Sequence, residues 1–183
     1  MLNTKYVIYN PQAPPLRNPS ALGNAWFVKS IQSVQSADEE IQALGKPGFR
    51  ASEMAIVDKR FTQVSPTFRS DASGNIRMES YAPNALKYKS SSLFEEVAVF
   101  SEIYYAKGWN AYLDGKPAEH FRCNYVLRGM KIPAGEHSIE FRFEPELYYQ
   151  TEKISYASSA LVLLLIAGLL FLNLRASNTA PKA

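Results

Sequence analysis

The sequence predicts a mainly β (α+β) fold: an antiparallel β-sandwich of the jelly-roll or immunoglobulin-like kind, preceded by a small strand-helix-strand unit and followed by one transmembrane α-helix. Three observations predict it. Between residues 75 and 143, six short runs of β-branched and aromatic residues follow a period of two and are separated by turn residues, as in half-buried antiparallel strands. Before residue 60, a helix-start signal stands between β-prone runs. After residue 153 come 21 uncharged residues, 154–174, of which 16 are apolar, close to the ~20 that a helix needs to cross ~30 Å of hydrocarbon. The expected division is a small α/β unit over 1–60, the sandwich over 61–150, the membrane helix over 154–174 and a short polar tail over 175–183.

Taken in order, residues 5–9 and 26–31 are β-prone, and the loop between them carries Pro11, Pro14, Pro15 and Pro19, which cannot donate to a ladder. Ser36 with Glu39 three residues on has capping-box spacing, with acids at the positive end of the helix dipole. Ile41 and Leu44 supply an apolar face, Gly45 and Pro47 end the helix, and residues 54–57 return as a strand. The charges of this unit are expected to be solvated. The sandwich strands are 75–81, 87–89, 96–105, 109–113, 121–132 and 137–143. In the last of these, Ile139, Phe141 and Phe143 share one face, and Glu140 and Arg142 the other. Asp71-Ala-Ser-Gly74 and Asp114-Gly115 suit positive φ, the second at a two-residue hairpin, and Pro133-Ala-Gly135 fits a tight turn.

Residues 157–172 are too apolar all round for an amphipathic surface helix, and Arg175 closes the stretch. The lipid bilayer is therefore the first expected partner, through residues 154–174. Charge does not orient the helix, because Arg142 and Lys153 before it balance Arg175 and Lys182 after it. The N-terminal apolar run is broken by Asn10 and Pro11 and lacks the h-region of a secretory signal. Two topologies follow. A tail-anchored protein would keep its folded part in the cytoplasm; an extracytoplasmic domain would need membrane segments upstream of Met1, making the chain the end of a larger membrane protein.

Several function classes are excluded by charge and motif. Residues 1–153 carry 18 basic and 17 acidic side chains, and no basic run exceeds Lys59-Arg60, so the electrostatic footprint of a nucleic-acid binder is missing. The single Cys123 rules out an intrachain disulfide, and its place in a strand pattern reads as packing. His120 and His137 have no partner at metal-ligand spacing. No nucleophile elbow, P-loop or dinucleotide fingerprint occurs, so no catalytic residue, metal or cofactor is assigned. Paired carboxylates such as Glu95 and Glu96 read as solvated strand borders. The suggestive cluster is Tyr104, Tyr105, Trp109, Tyr112, Asp114, Asn124, Tyr125 and Arg128. Sugar C–H faces stack on aromatic rings while hydroxyls form directional hydrogen bonds, donating to carboxylates, accepting from guanidinium groups and doing either with amides. These residues are candidate glycan contacts, with core and edge packing as the competing reading. Alternation places Trp109 and Tyr112 on opposite faces of their strand.

Three motifs in order carry a resemblance: Lys107-Gly-Trp-Asn-Ala-Tyr-Leu-Asp-Gly-Lys116, then Asn124-Tyr-Val-Leu-Arg128, then Pro133-Ala-Gly-Glu-His137 running into Ile139-Glu-Phe-Arg-Phe143. Together they resemble the C-terminal part of the YfhO family of bacterial membrane proteins, in which such a hairpin, strand and turn precede a closing membrane helix. Residues 2–8 and 23–28 also look like the opening of that family's extracytoplasmic region. The resemblance implies a relation to polyprenyl-phosphate-dependent glycosyltransferases of the GT-C type, located in the bacterial inner membrane, with the β-rich domain outside the cytoplasm. It further implies that the chemistry belongs to an early loop without counterpart here, so that this chain is non-catalytic alone. The implied partners are cell-envelope glycan and the upstream membrane helices of a parent protein. The alternative is a complete membrane-anchored β-sandwich module that binds glycan or protein without an enzymatic role.

Overall fold

The computed structural model describes residues 1–61 and 69–179, in two compact units that divide between Glu144 and Pro145. The first unit opens with a hairpin of two short strands, β1 (Tyr6–Val7) and β2 (Leu16–Arg17). Then β3 (Ala25–Val28), β4 (Ser30–Val34), α1 (Ala37–Leu44) and β5 (Met54–Asp58) follow, with β4 and β5 paired in parallel across the helix. The run expected as one strand over 26–31 is thus two strands in different sheets. Lys29 and Ser30 both donate their N–H to the Glu53 carbonyl, at 2.8 and 3.2 Å, where the chain changes sheet.

The remaining strands are β6 (Asn75–Ala82), β7 (Ala85–Ser92), β8 (Glu96–Ile103), β9 (Trp109–Leu113), β10 (Lys116–Ala118), β11 (Phe121–Cys123), β12 (Leu127–Ile132) and β13 (Gly135–Phe143). They form a five-stranded sheet in the order β10-β9-β13-β7-β6 and, with β3, a four-stranded sheet in the order β11-β12-β8-β3. All pairings in both sheets are antiparallel. The chain crosses between them at β7–β8, β8–β9, β10–β11 and β12–β13, and β13 inserts between β9 and β7. Two antiparallel sheets joined by repeated crossings make a β-sandwich. The run expected over 121–132 is divided by Asn124 and Tyr125, both at positive φ (47° and 71°). The hairpin turn Asp114-Gly115 has positive φ at both residues, 51° and 79°, as its sequence requires. Gly74 instead closes its turn at negative φ, donating its N–H to the Asp71 carbonyl at 3.0 Å.

Alternation explains why the four-stranded sheet is buried on both faces. From β8, Ala98 and Phe100 enter the sandwich core with Leu86, Tyr88, Met130, Ile132, Ile139 and Phe141. Its neighbours Val97 and Val99 pack on the other face with Trp26, Val28, Ala55, Val57 and Leu127. Within the sandwich, Tyr88, Phe100 and Phe141 meet edge to face, with centroids 4.9 to 6.1 Å apart. A third layer of Val34, Ala43 and Ile56 holds α1 on the parallel pair. The Ser36 half of the capping box forms, with the Glu39 N–H donating to Ser36 Oγ at 3.2 Å, while Glu39 Oε2 accepts from the N–H of Gln35, one residue before the cap, at 2.9 Å. The buried stripe of α1 differs from expectation, since Ile41 is half exposed while Glu40 and Ala43 are buried.

The second unit is α2 (Glu146–Thr179), an apolar helix whose first 27 residues, Glu146–Leu172, are long enough to span a bilayer. At 1.5 Å per residue that stretch covers about 40 Å. It is exposed along its length, as a helix that meets lipid must be, in contrast to the core helix of a water-soluble fold. Residues 180–183 of the expected polar tail lie outside the described residues.

Candidate functional site

The candidate contact residues fall in three places. Tyr104, Trp109 and Arg128 come together at one end of the sandwich. Arg128, on β12, lies on the same side of the sheet as Met130 and Ile132, which puts a guanidinium in the apolar core at 1% exposure. Its Nε donates to the Ile103 carbonyl at 2.9 Å, and its charge lies 4.3 Å from the Trp109 ring centroid and 5.0 Å from that of Phe141. Such cation–π contacts replace part of the lost hydration. Burial pulls the Arg128 pKa down, and the Glu102 carboxyl, itself raised by burial, opposes this. Nη1 of Arg128 has no hydrogen-bond partner among the described residues. Trp109 packs on Phe143 at 5.4 Å, and Tyr104 stacks at 5.2 Å on His120, which lies 5.6 Å from Phe141. His120 completes this cluster from the two-residue link between β10 and β11, and nothing in its local sequence marks it as a neighbour of Tyr104 and Phe141. Its removal from water, beside Arg128, pushes its pKa down to about 4. Tyr105 at the rim is half exposed.

Tyr112 and Asp114 are elsewhere. Tyr112 is on the outer face of the five-stranded sheet, where its hydroxyl donates to Glu144 Oε2 at 2.8 Å and Arg142 stacks on its ring at 4.5 Å. Asn110 donates to the same carboxylate oxygen at 2.9 Å. Those two hydrogen bonds hold the Glu144 pKa below the usual range. Asp114 holds its hairpin turn to the start of β13: Oδ1 accepts the Ser138 N–H at 2.8 Å and Oδ2 lies 2.6 Å from His137 Nδ1. The His137 contact first, then the amide, keeps the Asp114 pKa low.

Asn124 and Tyr125 are at the junction of the four-stranded sheet with the parallel pair. Asn124 is fully buried and clasps one residue of β5: its N–H donates to the Ile56 carbonyl and its Oδ1 accepts the Ile56 N–H, both at 2.8 Å. The Tyr125 N–H donates to Glu40 Oε1 at 2.8 Å, while Arg122 Nη2 donates to Glu40 Oε2 at 2.7 Å. Arg122 also approaches Asp58 at 3.9 Å and lies 4.0 Å over the Phe61 ring. Glu40 therefore ties α1 to the β11–β12 turn. Burial raises its pKa, and the Tyr125 amide and Arg122 offset only part of that rise. The solvated role expected for the helix charges does not hold at Glu40, nor does the one expected for the strand borders hold at Glu96. Glu96 is fully buried and accepts from the Asp71 N–H and, at 3.4 Å, from Ser92 Oγ. One signal was available for Glu40: it precedes Ala43 by three residues and shares its stripe.

Cys123 is buried, and its thiol pKa is raised by desolvation. It is the packed residue that its strand pattern implies. Among the described residues, no three His, Cys, Asp or Glu side chains are grouped to hold a metal ion. Open grooves lie beside His120, one of about 390 Å³ lined by Phe61, Glu119 and Phe121, and one of about 290 Å³ lined by Asn110, Tyr112 and Pro117.

Compared with known proteins, residues 44–155 match the family model described as bacterial membrane protein YfhO, a stretch that runs from the end of α1 through every strand from β5 to β13 into α2. No curated protein and no solved structure matches the chain.

Proposed function

Because the chain belongs to the YfhO family of bacterial membrane proteins, we propose that its β-rich part is an extracytoplasmic module, held at the bacterial plasma membrane by α2 and non-catalytic on its own. Its work is to contact the acceptor glycan of a membrane protein related to polyprenyl-phosphate-dependent glycosyltransferases. The observation that carries this reading is the direct passage of a folded β-sandwich into an apolar helix, with only Glu144 and Pro145 between β13 and α2. A linker that short keeps the module beside the bilayer where lipid-linked sugars are handled. The glycan-facing part is the sandwich end, where Trp109 and Tyr104 are partly exposed, Tyr105 half exposed, and the Arg128 guanidinium stiffens the Trp109 ring from behind.

Sidedness and glycan contact are tested separately. Ala72 is exposed in a loop, and Cys123 is buried, so an Ala72→Cys chain offers one reactive thiol. A membrane-impermeant maleimide should label it in intact cells; labelling only after permeabilisation would place the module in the cytoplasm. The detergent-solubilised chain should be retained on purified cell-envelope polysaccharide, and Trp109→Ala should lose retention while its circular dichroism stays unchanged. Failure of the unaltered chain to be retained removes the glycan role and leaves sidedness standing.

A further inference from the structure

The largest concentration of exposed apolar surface on the first unit is on the β1–β2 hairpin. Leu2, Tyr6, Val7, Ile8, Tyr9 and Leu16 are 46% to 71% exposed within fifteen residues, whereas the other exposed large apolar side chains of this unit are scattered from Ile41 to Tyr125. The register places Tyr6 with Arg17 on one face of the hairpin and Val7 with Leu16 on the other, so both faces carry exposed apolar side chains, and this much exposed apolar surface marks a segment that is covered in the working protein. The hairpin is also ordered without a cover. Tyr6 and Val7 pair with Arg17 and Leu16, Asn18 donates its N–H to the Lys5 carbonyl and its Nδ2 to the Thr4 carbonyl, both at 2.8 Å, and Asn10 closes the tip by accepting from Gln12 and Ala13. Its apolar side chains are therefore held outward, with little ordering left to lose on contact.

Charge identifies the cover. Residues 1–37 contain no acid, and the exposed Lys5 and Arg17 stand just before β1 and on β2. Tyrosines, aliphatic side chains and unopposed cations together suit the headgroup region of an anionic bilayer, where aromatic rings settle at the interface and each Lys or Arg gains from the negative surface potential. We propose that the β1–β2 hairpin is a second membrane contact, seating Tyr6, Val7, Ile8, Tyr9 and Leu16 in the headgroup layer of a bilayer that contains anionic lipid. The depth is limited by chemistry: a two-stranded hairpin has unpaired edge amides and carbonyls, which hydrocarbon does not tolerate, so insertion stops at about 5–10 Å. The affinity required is small, because α2 already confines the chain to a membrane and makes the second contact intramolecular. The inference rests on α2 spanning the bilayer and is independent of glycan contact.

The test uses the full chain with Ile8→Cys carrying an environment-sensitive NBD label, reconstituted into phosphatidylcholine vesicles with and without phosphatidylglycerol. Blue-shifted emission is expected, with quenching by lipids spin-labelled near the headgroup stronger than by lipids spin-labelled at the chain end. The blue shift should be larger with phosphatidylglycerol, and Lys5→Glu with Arg17→Glu should abolish that difference. The same label at Ala72→Cys should emit as in water. Water-like emission at position 8 in both vesicles overturns the proposal. So does a blue shift that no spin-labelled lipid quenches, which would assign the patch to a protein partner or a second copy. Release of the chain by alkaline carbonate would show instead that α2 does not span, and so identifies failure of the premise.

Discussion

A carboxylate with no exposed surface must be compensated by its neighbours, and Glu40 is compensated by the Arg122 guanidinium and the Tyr125 amide. Removing it strands Arg122 between Asp58 and the Phe61 ring and leaves the Tyr125 N–H without a partner. Glu40→Ala should therefore lower unfolding free energy by about 3 kcal/mol, read from chemical denaturation followed by circular dichroism. Glu40→Gln, which keeps one acceptor oxygen, should recover part of the loss. His120 sets a pH dependence of definite sign. Its folded pKa of about 4 lies below its ordinary 6.5, because burial and then the Arg128 charge disfavour imidazolium. The folded state thus binds fewer protons than the unfolded chain, and the contribution is fully present above pH 6.5 and lost as pH falls toward about 4. The buried Glu40 and Glu96 and the half-buried Glu102, whose pKa values are raised by burial, act in the opposite sense. Comparison with His120→Phe isolates the histidine: the stability of the unaltered chain relative to the variant should decline as pH falls from 6.5 to about 4. A constant difference would show that His120 stays accessible to protons.

At the scale of elements, the sandwich ends depend on two glycines approached closely by rings. A Cβ on Gly129 of β12 would stand 2.4 Å from the ring of Phe121, its cross-strand partner on β11, and one on Gly108 would stand 2.3 Å from the Phe143 ring. Gly129→Ala should cost about 2 kcal/mol through overpacking, and Phe121→Leu in the same chain should restore part of it, both measured by thermal denaturation. If Gly129→Ala alone is neutral, the Phe121 ring is free to move aside. The Gly-Trp pair at 108–109 stood out in sequence as a family motif, but its physical content, a gap left for Phe143 beside a tryptophan that stacks on Arg128, required the fold. The hairpin turn at Asp114-Gly115 was legible because positive φ at two successive residues leaves few residue choices. The division of residues 121–132 was not, since Asn124 and Tyr125 hold positive φ through contacts with Ile56 and Glu40, more than sixty residues away in the chain.

For the whole molecule, α2 decides membrane association. A chain ending at Glu144 should leave the membrane pellet in alkaline carbonate, while the full chain stays in it, because the apolar length of α2 is what resists extraction. The sequence by itself determined the β-rich class, the strand-helix-strand opening, the tight hairpin at 114–115 and the apolar helix, since each follows from local periodicity or from a residue restricted in backbone angle. Family membership was also legible there, through motifs whose order matters more than any one of them. The tertiary structure alone decided how the aromatic candidates divide: Tyr104, Trp109 and Arg128 in one cluster with His120, Tyr112 and Asp114 in hydrogen bonds on and beside the outer face, Asn124 and Tyr125 at the junction with α1 and β5. The physical reason is that alternation along a strand states which neighbours share a face, whereas strand order and crossings between sheets decide which faces meet, and those depend on contacts between residues far apart in the chain.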